Sequence, residues 1–79
     1  MKIRILAFGI VKDIFGSSSI TVELQDASVT ALKTLLEDIY PRLKQLASYM
    51  VAVNNEYADA GMTIMDNDEI AVIPPVSGG

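Results

Sequence analysis

Lys2-Ile3-Arg4-Ile5 alternates polar and apolar, and the chain then runs continuously apolar through Leu6-Ala7-Phe8. That pattern predicts a strand in the middle of a sheet. Gly9 to Ile14 has the length of one short helical turn, with Phe15-Gly16 closing it and Gly16 suited to a left-handed cap. Ser17-Ser18-Ser19 reads as a turn, and Ile20-Thr21-Val22-Glu23-Leu24 alternates again, as a half-buried strand does. The short connection predicts an antiparallel pair.

Val29, Leu32, Leu35, Leu36 and Ile39 then recur at helical spacing and form one apolar stripe, while Lys33, Thr34, Glu37 and Asp38 lie mostly opposite. The stripe reads as core. Ser28 is placed to cap this helix, which should stop at Tyr40 because a residue before proline is pushed out of the α region. Pro41 to Leu46 can restart as a short helix with proline in its first turn.

Met50-Val51-Ala52-Val53 reads as a short buried strand and Asn54-Asn55 as the turn after it. Asp59-Ala60-Gly61 and Asp66-Asn67-Asp68 are further turns, with Asn67 the residue suited to positive φ. Glu69 to Ile73 is the last strand, apolar enough to sit centrally beside the first. Pro74 and Pro75 donate no backbone hydrogen bond and end the ladder. Strand, strand, long helix, strand, strand predicts an α+β protein: a ubiquitin-like β-grasp, a mixed sheet with one long helix packed across one face. Residues 1–75 form that domain, and 76–79 are expected to be a flexible Gly-Gly tail.

At 79 residues the chain is one small domain, of a size that buries roughly 60% of its unfolded surface. It has no cysteine and no histidine, so disulfides, the usual zinc sites and Cys-His or Ser-His dyads are all excluded. A net charge of −4, with six scattered basic residues, argues against a nucleic-acid partner. The apolar run Ile5–Val11 is broken by Gly9 and lacks a cleavage site, which favours a buried strand over a secretion signal. No run approaches the length of a membrane span, and a cytoplasmic location without a membrane partner is expected. Phe8, Phe15, Met62 and Met65 read as core, and Tyr49 and Tyr57 as half-buried. A mean hydropathy of +0.36 hints at apolar surface covered by a partner. Asp66, Asp68 and Glu69 read as a solvated turn more than a docking patch, and they fall far short of a calcium loop.

Two stretches are more specific. Asp66-Asn67-Asp68-Glu69-Ile70-Ala71-Val72-Ile73-Pro74-Pro75-Val76-Ser77-Gly78-Gly79 resembles the closing segment of the molybdopterin synthase small subunit family. Val51-Ala52-Val53-Asn54-Asn55-Glu56-Tyr57 resembles the strand and turn before it, and Ile3 to Gly16 also fits. Asn67 stands where the family usually has glycine. Lys12-Asp13 stands where an Arg-Glu pair is common, and lysine cannot make a bidentate guanidinium contact.

The resemblance implies a sulfur carrier that is no enzyme by itself and binds no cofactor or metal. An adenylating, E1-like partner would use ATP to activate the carboxylate of Gly79, and a sulfur donor protein would convert it to a thiocarboxylate. The large synthase subunit, in a heterotetramer, would spend that sulfur on precursor Z. Gly78 would give access to the partner's site, and Pro74, Pro75, Val76 and Ser77 would contact the partner. The physical reading agrees, because glycine permits close backbone approach and six residues from Pro74 extend roughly 20 Å. A thiamine-type sulfur carrier, a ubiquitin-like protein modifier and a plain interaction module remain open alternatives.

Overall fold

The computed structural model describes residues 1–46, 48–59 and 61–75. Five strands form one sheet: β1 (Lys2–Ala7), β2 (Ser19–Glu23), β3 (Met50–Val53), β4 (Glu56–Tyr57) and β5 (Ile70–Ile73), in the order β2-β1-β5-β3-β4. β1 and β5 are parallel, and the other neighbouring pairs are antiparallel. The first and last strands are therefore adjacent at the centre, as the apolar runs predict.

Alternation along β1 buries Ile3, Ile5 and Ala7 and leaves Lys2 and Arg4 exposed. Val22, Val51, Val53, Ile70 and Val72 extend the same apolar face, and α2 (Val29–Ile39) covers it with Val29, Leu32 and Leu36. Ser28 Oγ accepts the Ala31 N–H at 3.1 Å, the expected cap, and α2 stops at Tyr40 before Pro41. Pro41–Gln45 continues as a 3-10 helix that adds Leu43 to the core. The short helix α1 (Ile10–Phe15) buries Val11 and Phe15 and ends on Gly16, left-handed at φ 77°.

Several expectations fail, each for a local reason. Ile39 is 49% exposed, because the stripe outlasts the sheet beneath it at the last turn of α2. Phe8, Met62 and Met65, all in connections outside the sheet and helices, are exposed rather than core, whereas Ile64 between the two methionines takes the buried position. Tyr57 is exposed on β4, a two-residue edge strand with no apolar alternation to announce it. Positive φ falls on Asn54 and Asn55, not Asn67. A two-residue hairpin must match the right-handed strand twist, which requires left-handed residues at both positions. The 65–68 turn closes without one: the Asp68 N–H donates to Met65 O at 3.0 Å, and the Asp68 carboxylate accepts the Met65 N–H at 2.8 Å.

Candidate functional site

The geometry of the C-terminal exit starts with β5. Val72 lies opposite Ala7 on one side and Val51 on the other, and Ile73 lies opposite Met50. The chain thus leaves the sheet from a strand held on both edges. Pro74 and Pro75, both half-buried, are its last described residues. Val76, Ser77, Gly78 and Gly79 lie outside the described residues, as does the expected tail as a unit.

Gly9 stands beside this exit with φ 56° and ψ −133°, a conformation open essentially to glycine alone. A methyl built on Gly9 would lie 3.0 Å from Pro74 Cγ. The sequence pattern assigns Gly9 to a break in the apolar run and to the start of the short helical turn, and not to a contact with Pro74. Its signal was present, however, as a glycine between a strand and a helix.

Apolar side chains surround the exit. Phe8 and Ile10, which flank Gly9, are 47% and 42% exposed, and Met50, paired with Ile73, is 44% exposed. Leu6, Ala71 and Ile73 are half-buried on the sheet face that α2 leaves open. Lys12 makes no ion pair among the described residues.

Tyr49 precedes Met50 and so stands at the same end of the sheet. Its hydroxyl donates to the Glu37 carboxylate, tying the segment before β3 to α2, and Lys33 Nζ sits 5.0 Å from its ring centroid. Burial, then the bond to Glu37 and that carboxylate's charge, push the Tyr49 phenol well above its ordinary value.

The acidic turn lies at the opposite end of β5. Asp68 bonds Met65 and Asn54, and those bonds hold its carboxyl below the usual range, the Met65 N–H contributing most. Lys2 and Arg4 face this turn across an open hollow of about 430 Å³ that Asp66, Asn67 and Glu69 also line. Asp66 and Glu69 are solvent-exposed, as a solvated turn should be. Among the described residues no three acidic side chains group as metal ligands, and no helix is long and apolar enough to cross a membrane.

A mixed sheet that grasps one helix and releases its C-terminal segment from the central strand is a ubiquitin-like β-grasp. The chain belongs to the ThiS family, whose pattern matches residues 5–79, in the branch of molybdopterin synthase sulfur carrier subunits. It is 41% identical to the molybdopterin synthase sulfur carrier subunit of Dictyostelium discoideum, covering 99% of this chain and 96% of that one. The fold superimposes on small archaeal modifier protein 1 of Haloferax volcanii with a TM-score of 0.81 at 25% identity, over 95% and 98% of the two chains. A third similarity in fold is to the complex of subunits 1 and 2 of molybdopterin-converting factor from Helicobacter pylori. There the TM-score is 0.71 at 22% identity, and both chains are covered completely.

Proposed function

We propose that this sulfur carrier subunit of molybdopterin synthase carries its sulfur as a thiocarboxylate on Gly79. The single observation that supports the reading most is the placement of Pro74 and Pro75, directly after a central strand fixed on both edges. A tail rooted there has a rigid base, and glycine at positions 78 and 79 adds no side chain to obstruct a narrow site.

A carboxylate is a poor electrophile. A partner enzyme holding ATP joins it to AMP and releases pyrophosphate. The persulfide of a sulfur donor protein then attacks the activated carbonyl and expels AMP. A thiol cleaves the resulting acyl disulfide by forming a disulfide with the donor's own sulfur, and the thiocarboxylate is left; Gly78 gives the backbone room to enter. This chain does no catalysis alone; the large synthase subunit uses the sulfur on precursor Z, and two copies of each subunit assemble. Sequence similarity to the Dictyostelium subunit supports the pathway, and likeness in fold to the Helicobacter complex is consistent with the pairing. The 76–79 segment acts as a tail separate from the 1–75 domain, and the protein works in the cytoplasm.

Intact-mass measurement after incubation with the activating enzyme, ATP and a sulfur donor tests this. The parent chain should gain the mass of one oxygen-to-sulfur exchange at Gly79, and a variant lacking Gly79 should not. Equal sulfuration of both would overturn the reading. A second reading, a protein modifier, is favoured by the likeness to the Haloferax protein. It would show instead as branched conjugates of Gly79 to lysines.

A further inference from the structure

We propose that Gly9 is a positioning residue for this chemistry: the space left by its missing side chain seats Pro74 and so sets the direction in which the tail leaves the sheet. The proposal rests on the sulfur-carrier reading above and adds a determinant within the folded domain.

The argument is steric and conformational together. β1 ends at Ala7, paired with Val72, so Phe8 and Gly9 run on beside Ile73 and Pro74 as both strands finish. Gly9 then turns the chain away: Val11 N–H donates to Phe8 O at 3.0 Å and Lys12 N–H to Gly9 O at 3.1 Å, opening α1. At φ 56° and ψ −133° the backbone makes a bend that a side chain would oppose. A Cβ on Gly9 would meet Pro74 Cγ at 3.0 Å and Cδ at 3.9 Å, and the first is closer than the ~3.5–4.0 Å of relaxed carbon contacts. Pro74 has little freedom to yield along the chain, because Ile73 before it is paired to Met50 and its own φ is locked by the ring. The proline would tip outward instead, and Pro75, joined to it, would turn with it. Gly16 offers the contrast. It too has positive φ, at 77°, but a Cβ there meets nothing within 4 Å.

The test compares the parent with Gly9→Ala, Gly16→Ala, Pro74→Ala and the Gly9→Ala/Pro74→Ala double variant. Each is assayed for ATP-dependent thiocarboxylate formation, below its melting temperature, with kcat and KM separated. Gly9→Ala should lower kcat/KM about tenfold or more, since ångström misplacement of a reacting group can cost on the order of a hundredfold. Gly16→Ala should match the parent. In the Pro74→Ala background, where Cγ is gone, adding Gly9→Ala should cost less than about threefold, the mark of coupled neighbours. An equal loss in both backgrounds, or no loss, overturns the proposal. Should Gly9→Ala not fold, 4-methylproline placed at position 74 by peptide ligation crowds the same gap with Gly9 unchanged. Only the diastereomer whose added carbon points at Gly9 should lose activity; equal activity of the two diastereomers overturns the proposal. NMR gives a readout independent of sulfur chemistry: Pro74 and Pro75 ring signals should shift in Gly9→Ala and not in Gly16→Ala. A parent that is never sulfurated defeats the functional reading, and the Pro74 signals then decide on Gly9 by themselves. Unmoved signals overturn it.

Discussion

The amide of Asn54 and the carboxylate of Asp68 hold each other across the end of the sheet remote from the tail, Asn54 Nδ2 donating to Asp68 Oδ1 at 2.9 Å. Asn54 Oδ1 also accepts the Glu69 N–H at 2.9 Å, and the Asn54 N–H donates to Glu69 O at 2.8 Å. The two ends of the amide divide the work, Nδ2 giving and Oδ1 accepting. The Asp68 carboxyl is depressed in the fold, so its contribution is complete above the ordinary Asp value of 3.8 and fades as pH falls through the lower folded value. Asp68→Asn should therefore be less stable than the parent at neutral pH, and the gap should close in acid. Urea melts between pH 7 and 2 check this, and a constant gap would reject it.

Tyr49 predicts the opposite dependence. Its phenol is raised, so the stability it supplies is present below the ordinary value of 10.0 and is lost as pH rises through the folded value. Tyr49→Phe removes the bond to Glu37 and should cost about 1–2 kcal/mol at pH 7. In an ultraviolet titration it should also remove a phenolate component appearing well above pH 10.

Leu36 is fully buried between α2 and the sheet. Leu36→Ala should cost about 2–5 kcal/mol. In a domain of this size each kcal/mol lowers Tm by about 4–8 °C, which calorimetry will resolve. Ile39→Ala on the same helix, at the 49% exposed position, should cost less than half as much.

Gly78→Ala, or one alanine added after Gly79, should leave Tm within about 1 °C of the parent, because neither changes a residue of the core described above. Thiocarboxylate formation should nevertheless fall steeply, and the extended chain should form none at its former terminus. Mass spectrometry beside a thermal melt measures both.

Most of the fold was legible because burial imposes period. β1, β2 and α2 each repeat at the spacing their geometry demands, and Ser28, Tyr40 and Gly16 punctuate them at the expected places. β4 was not legible, since Glu56 and Tyr57 bury neither side chain and owe their pairing to the hairpin. Asn67, though able to take positive φ, does not adopt it, for a related reason. Sequence shows which residues tolerate positive φ, but the twist of the flanking strands selects which must adopt it. At the site, Pro74 and Pro75 were visible as ladder-breakers, while Gly9 was passed over because its partner lies 65 residues away in the chain. Contacts between parallel neighbours leave no local period.

The double pairing of β5 also bears on mechanical load. A pull applied at Pro74 along the strand is resisted by three residue pairs to β1 and four to β3 side by side. Bonds loaded in shear must give way together, unlike the hydrogen bonds of a hairpin peeled open one at a time. A tug that would unzip an edge strand therefore meets both neighbours of β5 at once.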